Sequence, residues 1–391
     1  MNTLNVKETV KDYKDYLIEM RRWFHQHPEV SMKEYETSKK IKEELDKMGV
    51  EWVPCGMETG VLATVKGAKP GKTVLLRADM DALPVKENTG LPYASLNEGV
   101  SHACGHDCHI STLLTAAKVL SEHKDELCGT VKFAFQPAEE VGLGAKSMIE
   151  AGALEGVDHA FGIHIWSDVP AGMVSLSAGP RMAAAEEFDV WVHGKQGHGS
   201  APHQCIDAPY ITSAMVVALQ EAVSREMNPF DPVVVTVGKI NAGERWNVVG
   251  GEGYFEGTIR YYSKEVDEII DPIVERICRG VADAYRAKVE FKFNKILGPT
   301  INEPKTTEVC AEAAKKAIGE DCLFDFPPVT GGEDFSFIAD KVPSAFAFVG
   351  VRNEACDAVY PHHSDKFKVD EDAIINSVAL YVQVAMDLNA E

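Results

Sequence analysis

The stretch SHACGHDCH, Ser101 to His109, gathers three histidines, two cysteines and an aspartate within a chain of 391 residues that holds 13 histidines and nine cysteines in all. Imidazole nitrogen, thiolate sulfur and carboxylate oxygen are the donors that divalent transition metals take. Cys104 and His106 flank Gly105, whose backbone freedom lets both side chains turn toward one ion; Asp107 and Cys108 would then point elsewhere. A lone C-x-H pair fits a polar loop as well as a metal site. A second group is the adjacent pair Glu139 and Glu140 in QPAEE. Neighbouring residues of an extended chain point in opposite directions, so one glutamate can ligate a metal while the other faces a water as general base. The plain alternative is a solvated turn. Asp79 and Asp81 in RADMD, His164 in FGIHI, and His362 with His363 in PHHS complete the set.

The elements around these residues place them together. Val74, Leu75 and Leu76 follow the turn signal KPGK and form an apolar run that stops at Asp79. Such a run suits a strand buried on both faces. GTVKFAFQPAEE, HAFGIHIWSD and SAFAFVGV repeat the pattern. Helical spacing of apolar residues over Val6–His27 and Glu34–Met48 adds alternating helices, which predicts an α/β fold with a mainly parallel sheet. Ligands bind outside the carboxyl ends of such strands, where the polar residues above fall, and SHACGHDCH feeds a further helix. From about Ala185 the grammar changes to strand, helix, strand, strand, helix, strand, with Asp207 as a helix N-cap. That order is the split ferredoxin-like pattern. The expected organisation is a discontinuous metal-binding catalytic domain over 1–184 and 298–391, resembling a metallopeptidase, with an α+β lid or dimerisation domain inserted at 185–297.

Composition narrows the functional classes. A formal charge of −21 without a basic tract argues against nucleic acid as a partner. No apolar run reaches the length of about 18 residues that a membrane span needs, and the first residues lack the apolar core of a signal peptide, so a cytoplasmic location is expected. An odd number of dispersed cysteines predicts free thiols, most of them buried as small hydrophobes.

The motifs RADMDALP, ACGHDCH, FQPAEE, GIH, GHGSAPH and HHSDKF, in this order, resemble the dinuclear metallo-amidohydrolases related to aminoacylases and carboxypeptidases, in the branch of hippurate hydrolases, N-acyl-amino-acid deacylases and plant auxin-conjugate hydrolases. The resemblance implies that Cys104, His106, Glu140, His164 and His363 hold two divalent metal ions per subunit, His363 being preferred to His362 because the family's ligand precedes a serine or threonine. It implies Glu139 as general base and Asp81 as a carboxylate that orients a ligand. Within the insertion it implies that His198 polarises the scissile carbonyl, often across a dimer interface, and that His203, Asn247 and Arg260 contact substrate, the last able to grip a carboxylate bidentately. Zinc is favoured by the thiolate, with manganese, cobalt and nickel able to occupy the same donors. Cys108 stands where the family usually has glycine, and Asp365 where it usually has proline.

The expected reaction is hydrolysis of N-acyl amino acids, of hippurate or N-acetyl type, by a homodimer joined through the inserted domain. Three rivals follow from the same residues: a dipeptidase or aminopeptidase on this scaffold, a non-catalytic metal- or ligand-binding protein, and hydrolysis with Cys104 as nucleophile. A binding protein has no need of a base beside Glu140, and a nucleophile and base two residues apart would compete for one loop geometry.

Overall fold

The computed structural model describes residues 4–390. The chain divides into two compact units. The first holds the chain up to Gly179 with Ile301–Pro327 and everything described from Asp334 on; the second holds Pro180–Thr300 with Pro328–Glu333.

The first unit is built on a seven-stranded sheet ordered Glu51–Pro54, Val61–Lys66, Cys128–Gln136, Lys69–Asp79, His159–Pro170, Ser344–Arg352, Val174–Ser175. The four strands from Cys128–Gln136 to Ser344–Arg352 run parallel, with Leu76 opposite Phe133, Leu75 opposite Ala160, and Phe348 opposite His164. Their apolar runs are continuous because helices cover both faces: residues 74–79 and 344–351 are buried without a break. The helices Lys14–Gln26, Tyr35–Met48, His106–Glu122, Pro304–Ala317 and Ile375–Ala390 contribute Leu17, Phe24, Ile41, Leu45, Leu113, Ala313 and Leu380 to the same core. The periodicity over Val6–His27 resolves into a short helix at Val6–Thr9, a 3₁₀ turn at Val10–Tyr13 and the main helix from Lys14. Tyr35–Met48 stops where Gly49 adopts φ 64° and donates to the carbonyls of Leu45 and Asp46, the left-handed cap that ends many helices.

The second unit has a four-stranded antiparallel sheet in the order Val234–Ala242, Glu252–Arg260, Ala185–His193, Lys288–Leu297. Numbered along the chain this order is 2-3-1-4, the ferredoxin-like arrangement. Phe188, Val190, Phe255, Ile259 and Val289 face two helices that bring in Ile211, Met215, Val266, Ile270, Val274 and Cys278. Asp207 caps the helix Ala208–Ala218 by accepting the Tyr210 N–H, and Ser263 caps Lys264–Tyr285 by accepting that of Val266. The sequence reads as one helix from Asp207 to Glu226, but the ladder loosens to a π turn at Ala222–Glu226. Met227 then leaves the helical region, at φ −80° and ψ 144°, two residues before Pro229. Among the described residues no helix is long and apolar enough to cross a membrane, and all nine cysteines are free.

Candidate metal centre

The carboxyl ends of the parallel strands carry the centre. Asp79 ends the Lys69–Asp79 strand, Glu139 and Glu140 follow Cys128–Gln136, and His164 lies within His159–Pro170. Gly105 is the N-cap of His106–Glu122, with φ 87°. A Cβ at this position would lie 2.3 Å from Ile165 Cδ1, so glycine is required both by conformation and by space. The turn it allows sets Cys104 and His106 side by side.

Cys104, His106 and Glu140 each bring a donor atom to within 4.8 Å of the others, and Cys104, His164 and His362 do the same. Cys104 Sγ is 3.4 Å from His164 Nε2, and His106 Nε2 is 3.8 Å from Glu140 Oε1. The ring orientations have a clear cause. His106 Nδ1 donates to the Asp81 carbonyl at 2.8 Å, and His164 Nδ1 donates to the Ile165 carbonyl at 2.6 Å. Each Nε2 therefore keeps an unprotonated lone pair aimed at the cluster, the usual preparation of a metal-binding histidine. His106 Nε2 and Glu140 Oε1 are buried and have no hydrogen-bond partner. With His106 neutral these are two acceptors facing each other without a donor between them, a conflict that a second proton on His106 or a bound cation relieves.

The electrostatics agree. Burial lowers the affinity of His106 for a second proton, but Asp79, Asp81 and Glu140 outweigh it and push the imidazole up to about 10. Burial, with Asp81 and Asp79, pushes Glu140 up to about 6. Burial followed by the charges of Glu140, Glu139 and Asp79 drives the Cys104 thiol well above its ordinary range. The pocket is a well of negative potential that holds protons where a cation would compete for the same donors.

Asp81 organises the glutamates. Its Oδ1 accepts the Glu139 N–H and its Oδ2 the Glu140 N–H, both at 3.1 Å, while Ser31 Oγ donates to Oδ2 at 2.6 Å. By distance alone His362 joins Cys104 and His164. Its Nε2 accepts the Ser167 N–H at 3.2 Å, while its buried Nδ1 has no hydrogen-bond partner. His363 Nε2 lies 3.6 Å from Glu140 Oε2, and its left-handed backbone, φ 65°, is anchored by donation to the Ala103 carbonyl at 2.9 Å.

Behind these residues stands a buried layer of which the motif reading singled out only Asp79. Asp79 accepts from His109 Nδ1 at 2.5 Å, and His109 Nε2 accepts the Ile165 N–H at 2.9 Å. Arg77 ties Asp79 to Asp334, at 2.7 Å on each side. His109 is three residues beyond His106 on one helix face, a spacing that could have drawn attention to it. Asp334 had no such signal. Asp365, in place of proline, accepts from Asn88 Nδ2 and, at its carbonyl, from Asn88 N, both at 2.7 Å. Cys108 is wholly buried in the core.

His198, His203, Asn247 and Arg260 belong to the second unit. His198 pairs with Val248 in a two-residue ladder and accepts at Nδ1 from Ser200 N and Oγ, at 3.1 and 2.9 Å. Gly199 N donates to the Asn247 carbonyl at 2.9 Å, so Asn247, in the turn before Val248–Val249, lies beside the Gly197–His198 strand. His203 is exposed in a 3₁₀ turn. Arg260 ends the Glu252–Arg260 strand and donates to Thr258 Oγ1 at 2.8 Å.

Residues 75–387 match the Peptidase family M20/M25/M40. The chain belongs to that family. Among its relatives, Thermostable carboxypeptidase 1 of Saccharolobus solfataricus is 42% identical over 373 residues, covering 94% of each chain. N-acetyl-L-cysteine deacetylase of Bacillus subtilis is 40% identical over 361 residues, covering 92% of this chain and 85% of its own. The solved structure of the Bacillus subtilis YXEP protein, described as a dinuclear metal-binding peptidase of the M20 family, gives a TM-score of 0.87 at 33% identity, covering 97% of this chain and 99% of that one. As an M20 member the protein is a metal-dependent amidohydrolase with the fold described above.

Proposed function

We propose that this M20 enzyme hydrolyses the amide bond of N-acyl amino acids, releasing a carboxylic acid and a free amino acid. In this reading Cys104, His106, Glu140, His164 and His363 hold two divalent ions. The observation that carries it is the pair of buried, partnerless acceptors His106 Nε2 and Glu140 Oε1, with a second glutamate one residue away on a turn whose amides Asp81 holds. Bound divalent ions supply Lewis acidity that lowers the pKa of water from about 15.7 toward 7. Glu139 accepts the proton of the attacking water and delivers it to the leaving amine. Asp81 keeps Glu139 and Glu140 in register through their backbone N–H groups. Zinc suits the thiolate best; manganese, cobalt and nickel suit the nitrogen and oxygen donors.

The roles of the second unit rest on its motifs. His198 would donate to the carbonyl oxygen as negative charge develops there, and Arg260, with Asn247 and His203, would bind the substrate carboxylate in a chain that is otherwise strongly acidic. Dimerisation through this unit, with cytoplasmic residence, belongs to the same reading. A peptidase is the second reading, supported by the relatives named carboxypeptidases.

The test is a screen of metal-reconstituted protein against N-acetyl, N-benzoyl and other N-acyl amino acids and against free dipeptides, with the released amine detected. Faster turnover of the blocked substrates supports a deacylase, and faster turnover of dipeptides supports the peptidase. Glu139→Gln should retain its metal and lose at least about 100-fold in kcat, the usual scale of acid–base catalysis; a variant with near-normal kcat would remove Glu139 from its role.

A further inference from the structure

Three consecutive amides, those of Ala138, Glu139 and Glu140, are each received by a carboxylate. Asp81 takes the second and third, and the first goes to Glu34, whose Oε1 accepts the Ala138 N–H at 3.0 Å. Glu34 is fully buried although it comes from a loop 104 residues earlier in the chain. The same Oε1 accepts the Met32 N–H at 2.8 Å, and Oε2 accepts from Thr59 Oγ1 at 2.9 Å. Both amides bound by Oε1 belong to non-glycine residues with left-handed backbones, Met32 at φ 67° and Ala138 at φ 55°. Such conformations persist only where surrounding contacts hold them.

Glu34 immediately precedes the helix Tyr35–Met48 but does not cap it with its side chain. Glu29 does that work, its carboxylate accepting the N–H groups of Glu36 and Thr37 at 3.2 and 2.8 Å. The loop between is fastened to the strand end beside Asp81, since Ala82 N donates to the Glu29 carbonyl at 2.8 Å and Ser31 Oγ bonds Asp81. Glu34 is thereby left to face the turn that launches the two site glutamates.

We propose that Glu34 is a positioning residue for hydrolysis: its buried carboxylate holds Ala138 in the left-handed turn that directs Glu139 toward the attacking water and Glu140 toward the metal. This rests on the roles assigned to those two glutamates. The requirement is for an acceptor of correct reach rather than for charge. Glutamine meets it, because its Oε1 can receive both amides while its Nε2 donates to Thr59 Oγ1. Aspartate keeps the charge but is one methylene too short.

The experiment compares Glu34→Gln and Glu34→Asp with the parent, measuring kcat and KM on the best N-acyl amino acid at saturating zinc, and zinc affinity by competition with a chromophoric chelator. Glu34→Gln should stay within about 3-fold of the parent in all three. Glu34→Asp should fold with normal circular dichroism, lose about 100-fold in kcat, the scale of a 1 Å misplacement, keep KM within about 3-fold, and weaken zinc binding at least about 10-fold. Parental kcat and zinc affinity in Glu34→Asp, or equal losses in the glutamine variant, overturn the proposal. Glu139→Gln is run alongside: if it stays active, the reading of the site fails, whereas an inactive Glu139→Gln beside a parental Glu34→Asp sinks the Glu34 role alone. Zinc affinity decides the matter even if the panel contains no good substrate.

Discussion

Replacing Gly105 by alanine tests the centre at its narrowest point. Two separate costs can be worked from the structure. At φ 87° an L-residue pays about 1–2 kcal/mol for left-handed backbone. The added methyl would also stand 2.3 Å from Ile165 Cδ1, 2.9 Å from Ile165 Cγ1 and 3.3 Å from Phe367 Cε1, overpacking of the kind that costs about 1–3 kcal/mol. Ile165 cannot retreat easily, being fully buried with its N–H bonded to His109 Nε2. The expected total is roughly 2–5 kcal/mol, together with reduced metal content, because Cys104 and His106 turn about this residue. Urea unfolding followed by tryptophan fluorescence, with elemental analysis of the folded protein, measures both. Ile165→Val removes Cδ1 and alone should cost about 0.5–1.5 kcal/mol. In the Gly105→Ala background it should instead restore stability, giving a favourable coupling of about 1 kcal/mol or more, with the left-handed cost remaining. A Gly105→Ala protein with parental midpoint and metal content, or losses that simply add in the double variant, would refute the argument.

Two further outcomes follow from buried charges outside the proposed ligand set. Arg21 and Asp107 form an ion pair at 2.9 Å with both side chains almost wholly buried; Arg21→Met leaves Asp107 with His25 as its remaining charged partner, at 2.8 Å, and should cost about 3 kcal/mol, part of which Asp107→Asn should return in the same unfolding assay. In the second unit Glu186 is buried, and burial together with its neighbour Asp271 pushes it up to about 8 from an ordinary 4.5, with Asp267, Lys295 and Tyr261 also facing the pair. A carboxyl raised on folding contributes stability that is full below about pH 4.5 and lost as pH climbs through about 8. Urea midpoints at pH 5, 7 and 9 should therefore decline in the parent and flatten in Glu186→Gln; parallel profiles would show that the pair does not carry the proton.

What could be read from the residues depended on how local the cause was. The run ending at Asp79 announced a two-sided strand because burial on both faces leaves no polar alternation to write into the sequence. The strand and helix order from Ala185 likewise specified the ferredoxin-like unit, since periods of 2 and 3.6 differ visibly within a few residues. The helix after Asp207 was read too long because nothing in VALQEAVSRE forbids continuation; only Pro229 beyond it hints at the loosened turn. Cys104, His106 and Glu140 do converge. The preference for His363 came from the serine that follows it, whereas by distance it is His362 that meets Cys104 and His164, held by a backbone N–H from Ser167 on a strand almost two hundred residues away. Glu34 was invisible for the same reason: its partner Ala138 is an unremarkable residue, and only the assembled fold shows that its amide needs an acceptor.

The protonated state of Cys104 bears on how the protein survives before it acquires its ions. Alkylating agents and peroxides attack thiolates far faster than thiols, and the burial that, with the carboxylates around it, raises this thiol suppresses its reactive form. In the reading in which Cys104 holds a cation, the sulfur would give up its proton on binding, and coordination would lower its nucleophilicity toward an oxidant. Burial and acidic neighbours together would thus shield the same sulfur chemically in the metal-free protein while favouring the arrival of a cation.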